Sequence, residues 1–296
     1  MKEKCVKVKK KKMRKRLSDL CFLFPSLAGV AIFFVIPFGV VFYYSVIDSP
    51  FNPEFVFLDN FNALLHNQAF LQAAGNTIHF SLLAVPLAVL LALIFAVILE
   101  QNIPGKSVFR TCFLTPLMVP TASVVLVWQV FFGFNGVINE FIQKFGGDKI
   151  DWFKSSHAQV VILILFIWKN LGYNMILFLA ALSGIPKDHI EAASLDGANG
   201  WQTFWYIKLR YLSPTILFVA IMSLINSFKV FREVYLLTGD YPYDTLYMLQ
   251  HFMNNMFKSM DYQKLSAAAV LMLLVMTVII GGLFLLDEKI GKDVEG

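Results

Sequence analysis

The sequence predicts an all-α integral membrane protein with six transmembrane helices, and three observations carry that prediction. Only 15% of its 296 residues are charged, where a soluble chain carries about a quarter, and the mean hydropathy is +0.65. The apolar residues, 57% of the chain, gather into six runs of about the twenty residues that a bilayer crossing needs. Ten of the 25 basic residues fall between Lys2 and Arg16, directly ahead of the first run. Lipid offers an exposed backbone no hydrogen-bond partner, so each run must close its own bonds as a helix.

The first run, residues 22–46, follows the basic segment as the core of a signal peptide would. Its 25 residues exceed the roughly 7–15 of a cleaved apolar core, and no Ala-x-Ala site follows. It is expected to stay as the first span, with residues 1–20 a cytoplasmic tail held against anionic lipid headgroups. A dedicated binding function for that tail is the alternative. The other runs are 77–99, 108–132, 158–183, 213–236 and 265–286, giving a transmembrane domain over 21–286 and a C-terminal tail over 287–296. Pro25, Pro37, Pro86, Pro116 and Pro120 lie inside the runs, where neighbouring helices can satisfy the backbone groups they free. The loop 47–76 has no Lys or Arg, which places the N-terminus inside. Alternation puts 100–107, 184–212 and the C-terminal tail in the cytoplasm as well. The 133–157 segment lies outside despite Lys144, Lys149 and Lys154, an exception to the rule. The expected place is thus the cell membrane, crossed several times, with both termini cytoplasmic.

Composition narrows the functional classes. The net charge of +5 is concentrated in the N-terminal tail, so membrane lipid, not nucleic acid, is its partner. Cys5, Cys21 and Cys112 form an odd, unspaced set that reads as free thiols. His66, His79, His157, His189 and His251 show no ligand spacing, so no metal is expected. Gly105-Lys106-Ser107 matches the end of a phosphate-binding loop, but Glu100 stands where that loop needs Gly and no strand precedes it. ATP hydrolysis is therefore not expected in this chain, which reads as no enzyme.

The 184–212 loop is too long for a simple helix connection. Pro186 can open a helix at its first position, and Asp188 suits the positive end of the helix dipole. Residues 187–196 are good helix formers, and Gly197 is placed to end them in a left-handed conformation. Such a rod is about 15 Å long, too short to span. A second amphipathic stretch carries Trp201, Phe204, Trp205 and Ile207 beside Lys208 and Arg210, which suits the inner membrane surface. Ser213-Pro214 resembles an N-cap and first-turn proline opening the fifth span. Two interfacial helices that brace the bundle, or a helix that docks into another protein's groove, both fit these residues.

Glu191-Ala192-Ala193-Ser194-Leu195-Asp196-Gly197-Ala198, with Phe204, Ile207 and Leu209 downstream, resembles the loop signature of ABC-importer permeases, in the sugar-importing branch. Arg210 replaces the usual proline. Further segments fit in order: Asn76-Thr77 opening the second span, Phe109-Arg110-Thr111 through Pro116, Trp128, Gly136 with Asn139, Ser227 to Phe231, Leu237-Thr238-Gly239 with Pro242, and Tyr262 with Ala267-Ala268. Asp261 stands in place of a glycine. The resemblance, to the larger permeases like the membrane subunits of the maltose transporter, covers about 22–286. It implies the type I ABC importer permease fold, with a short cytoplasmic coupling helix between spans 4 and 5. It further implies a second permease subunit, an ABC ATPase dimer that binds ATP and Mg in place of any cofactor here, an extracytoplasmic solute-binding protein and a sugar substrate. Glu191, Ala192, Ala193, Asp196, Gly197 and Ala198 become the residues that couple to the ATPase, and the Glu191–Gly197 helix transmits its closure to the spans.

Polar residues inside the spans mark the candidate substrate path. Lys169 lies mid-span at a cost of about 3 kcal/mol, which the fourteen Val, Ile, Leu and Phe of that span offset. Such a Lys faces the bundle interior or water. Asn170 and Asn174, four apart, share a helix face, and Asn226 and Lys229 are three apart in the fifth span, with Arg232 and Glu233 nearer its end. These can line a path for sugar hydroxyls; hydrogen bonding between helices, or pairing across two permeases, is the alternative. An ion-coupled secondary transporter is the rival from another class; the absence of a central carboxylate from the spans argues against a proton relay, though not against a sodium site built from carbonyls. A membrane-embedded enzyme would need an inward nucleophile or metal cluster, and no grouping supports one.

Overall fold

The computed structural model describes residues 23–101 and 103–291. The expected basic tail 1–20 and the last five residues of the expected C-terminal tail lie outside the described residues. Among the described residues, six helical stretches are long and apolar enough to cross a membrane: Leu23–Ser45, Gln68–Glu100, Thr121–Lys144, Ala158–Ser183, Gly200–Thr238 and Tyr262–Glu288. The chain divides into two compact units, one running to Leu64 and adding Met260–Leu273, the other holding Leu65–Ser259 and the chain from Leu274 on.

The first unit is built on helix α1 (Leu23–Ser45), whose side chains are almost all exposed, as a lipid-facing helix requires. Its turn at Ala31–Val35 is widened, so that the Ile36 N–H reaches back to the Ala31 carbonyl. Pro37 follows directly and has no N–H for the carbonyl four residues back, a common cause of such a turn. The chain after α1 is held by Asn60 of α2 (Asp59–Leu65), whose amide donates to the carbonyls of Ser45 at 3.0 Å and Ile47 at 2.8 Å.

The second unit contains α3 (Gln68–Glu100), α4 (Lys106–Met118), α5 (Thr121–Phe132), α6 (Val137–Lys144), α7 (Ala158–Ser183), α8 (Lys187–Leu195), α9 (Gly200–Thr203), α10 (Leu209–Lys229), α11 (Phe231–Thr238) and α12 (Leu249–Lys258). Helix α13 (Tyr262–Gly291) closes the chain and runs past 286, where the C-terminal tail was expected to begin. In α3, Ala84, Ala88, Ala92 and Ala96 recur every fourth residue and are fully buried. A stripe of small side chains lets helices approach closely where lipid leaves no hydrophobic driving force. One apolar core, with Ala92, Ala96, Phe178 and Leu182, lies toward α8; another, with Phe80, Ala84, Phe166 and Val234, lies at the opposite end. Gly172 of α7 takes α4 against its backbone: a Cβ there would stand 1.8 Å from the Phe113 carbonyl oxygen.

Three sequence-based boundaries are corrected. The second crossing begins at Gln68, capped by the Asn67 side chain, which accepts from the Phe70 N–H at 3.1 Å. Asn76 and Thr77 lie inside the helix, where Asn76 donates to the Tyr247 carbonyl at 3.0 Å and Thr77 Oγ1 accepts the Leu249 N–H at 2.8 Å. The 108–132 run is no single helix: it breaks at Val119 and Pro120, where the backbone turns extended. Pro116 and Pro120, one turn apart, withdraw two successive backbone bonds from one side. The fifth crossing does not open at Ser213-Pro214. The chain is helical from Gly200, through a widened turn at Phe204–Lys208, into α10. Pro214 is accommodated within α10, and Ser213 Oγ donates to Asp287 at 2.7 Å instead of capping.

Candidate functional site

Helix α8 stands in the loop between the fourth and fifth crossings with no buried side chain. Glu191, Ala192, Asp196 and Gly197 are exposed, and Ala193 and Ala198 are half-buried. Pro186 takes the N-cap, one residue before the position expected, and Asp188 lies in the first turn. Gly197 has φ +82°. Its N–H donates to the Ser194 carbonyl at 3.1 Å and the Ala198 N–H to the Ala193 carbonyl at 2.9 Å, which closes the helix in a Schellman motif. Asn199 and Gln202 then form a reciprocal capping box that starts the next helix at once. Ile190 alone reaches back onto the bundle's core beside α8. Leu195, part of the signature but given no role from the sequence, is 90% exposed; its position between two signature residues was the available signal.

Between the two apolar cores runs a polar layer. Ser81 and Ser227 share a hydrogen bond of 2.8 Å, Asn174 donates to Ser223 at 3.0 Å, and Asn226 donates to Asn170 Oδ1 at 2.9 Å. Beyond it Lys169 forms an ion pair with Glu233 and donates to Thr121 Oγ1 at 3.4 Å. Glu233 is buried, with 5% of its surface exposed.

A cavity of about 160 Å³ opens beside this layer, lined by Lys169, Asn170, Asn226, Lys229, Arg232 and Glu233, with Leu117, Leu165, Phe166 and Val230 as apolar walls. Four of the five expected path residues meet here. Asn174 does not: it lies one turn nearer α8, where α7 and α10 close together, and is 1% exposed. Arg232 and Glu233 complete the lining. The volume is about half that of the smallest usual ligand pockets, about 300 Å³.

At the end of the bundle opposite α8, the segment between the fifth and sixth crossings holds a second charged cluster. Lys258 Nζ lies 2.5 Å from Asp240 Oδ1 and 3.1 Å from Tyr235 Oη. The hydrogen bond between them holds the Asp240 carboxyl below its usual value, and Lys258 is raised by the same bond and that to Tyr235. His251 is 1% exposed; burial lowers its pKa to about 4, against the pull of Asp240. Its Nδ1 accepts the Met248 N–H at 3.2 Å, which places the neutral ring's proton on Nε2, where it has no acceptor. Among the described residues no cluster of His, Cys, Asp or Glu could hold a metal.

Comparison with known proteins places this architecture. A family model described as binding-protein-dependent transport system inner membrane component matches residues 84–292. The "Probable ABC transporter permease protein YesP" of Bacillus subtilis is 33% identical over 92% of this chain and 90% of its own length. The sn-glycerol-3-phosphate transport system permease protein UgpA of Escherichia coli is 33% identical over 73% of this chain and 74% of its own. A crystal structure of a bacterial alginate ABC transporter, in complex with an alginate pentasaccharide-bound periplasmic protein, contains a chain of the same fold. Its TM-score is 0.80 at 20% identity, over 95% of this chain and 98% of that one. With six apolar helices, an exposed helix between the fourth and fifth, and the family match across most of its length, the chain belongs to the inner membrane components of binding-protein-dependent transport systems, the ABC transporter permeases.

Proposed function

We propose that this chain is one of two permease subunits that together form the path of an ATP-driven saccharide importer, with an extracytoplasmic binding protein delivering the cargo and a dimer of ABC ATPases driving it. The observation that carries this reading is α8. It is a nine-residue helix fixed by caps at both ends, presenting Glu191, Leu195 and Asp196 outward while Ile190 keys it to the core. A rigid, exposed helix so keyed suits a lever gripped by another protein, and ATP binding there would bias a two-state rearrangement of the bundle. Glu191 would meet basic groups of the ATPase. The α8 end, both termini and residues 100–107 would then lie in the cytoplasm. The second permease is supported by the family to which the chain belongs. The saccharide class is supported by the loop signature and by amide groups suited to hydroxyls. A proton relay would call for an unpaired carboxylate within the spans, and Glu233 is paired with Lys169.

The test is affinity purification from native membranes followed by mass spectrometry, beside a Glu191→Lys, Gly197→Asp preparation. The expected result is an ABC ATPase and a second six-span permease with the unaltered chain, and loss of the ATPase alone with the double variant. A chain that purifies without any ATPase in both preparations would overturn the reading.

A further inference from the structure

The charge balance of the cavity bears on what is carried, and this inference rests on the importer reading above. Three cationic side chains, Lys169, Lys229 and Arg232, line the cavity with one carboxylate, Glu233. Glu233 is engaged by Lys169, which leaves two positive charges. Among the described residues no carboxylate lies within ion-pair distance of Lys229 or Arg232. Both belong to the fifth crossing, Gly200–Thr238, and both are exposed. Lys229 ends α10 and Arg232 stands in the first turn of α11, and both line the cavity together with Asn226.

Cations inside a membrane span are expensive and are kept facing water, an ion path or a partner charge. A neutral sugar gives no reason to keep two of them. Its hydroxyls are served by amides, and Asn170 and Asn226 already supply these. A guanidinium presents a planar fork of donors that matches a carboxylate or phosphate, and a nearby ammonium adds a point charge. Rings of Lys and Arg select anions in membrane pores for the same reason. We propose that the saccharide passing this cavity is anionic, bearing a carboxylate or a phosphate that Lys229 and Arg232 attract while Asn170 and Asn226 receive its hydroxyls.

The complete transporter, purified with its second permease, ATPase and binding protein, is reconstituted in proteoliposomes. ATP-dependent uptake is measured for trigalacturonate, glucose 6-phosphate and maltotriose. One of the anionic probes should enter about tenfold faster than maltotriose, and which of them does so separates carboxylate from phosphate. Lys229→Gln with Arg232→Gln should slow that uptake by about tenfold or more while the complex stays assembled, and Lys229→Arg with Arg232→Lys should largely retain it. Maltotriose entering as fast as the anions, or anion uptake indifferent to the Gln pair, would overturn the inference and leave the importer reading standing. Loss of the second permease from the Gln variant would also overturn it, since the cations would then be pairing with that chain. If no saccharide enters with ATP, the importer reading fails and this inference fails with it.

Discussion

Lys169 and Glu233 are 64 positions apart in the chain, yet each accounts for the other's presence in an apolar setting. Removing one partner leaves an uncompensated charge, which costs more than the pair itself is worth. Glu233→Gln should therefore lower stability by about 3 kcal/mol, read as a fall in the thermal midpoint in detergent. Adding Lys169→Met should recover most of it; a double variant no better than the single would mean that the pair is not the source. Lys169, Asn170, Asn226 and Lys229 were legible because a polar residue stands out in an apolar run. Their meeting with Glu233 was not, because no local rule pairs residues on different helices, nor was the place of Asn174 off the cavity, because spacing gives a face but not a depth. His251 adds a pH dependence. Its folded pKa of about 4 lies below the unfolded value of about 6.5, so between those values the unfolded chain binds a proton that the folded chain refuses. Stability should fall as pH drops through that window, by at most about 1.4 kcal/mol per pH unit. His251→Phe should flatten the slope of thermal midpoint against pH, and an unchanged slope would assign it to other groups.

At the scale of elements, α8 was the most legible part of the chain. Its start, its length and its end at Gly197 follow from caps and propensities, all of which are local. Gly197→Ala should keep the fold but strain the left-handed turn by about 1 kcal/mol, fraying the end of α8. The measurement is affinity for the partner ATPase, expected to weaken with the thermal midpoint of the spans little changed. The proline positions were harder to read, since the same residue breaks the chain at Pro120 and is absorbed at Pro86 and Pro214. What differs is the company: Pro116 and Pro120 fall on successive turns, whereas the other two stand alone. Gly172 shows a constraint invisible in sequence, because only the packed structure brings the Phe113 carbonyl over it. Gly172→Ala should force α4 and α7 apart, with lower yield and a thermal midpoint several degrees down, whereas Gly29→Ala, with open space around it, should change neither.

For the whole molecule, hydropathy identified six crossings because lipid imposes one secondary structure and one minimum length. It could not place their ends, since α3 and the fifth crossing continue past the apolar stretch into capped turns. The proposed orientation makes a direct prediction. With Cys5, Cys21 and Cys112 replaced by Ser, an impermeant maleimide should label Ser259→Cys in intact cells and Ser194→Cys only after the cells are opened; the reverse pattern would invert the topology. The polar layer between the two apolar cores has one more consequence. Helices α7 and α10 run in opposite directions through it, and their short polar side chains recur about once per turn: Asn170 and Asn174 against Ser223, Asn226 and Ser227. Sliding α10 by one turn toward α8 would carry Ser227 and Asn226 opposite Asn174, but it would set Asn170 against Val230 and Ser223 against Phe178. Such a seam resembles a key cut for one lock: it resists sliding as well as separation, because a shift of one turn leaves two polar groups without partners.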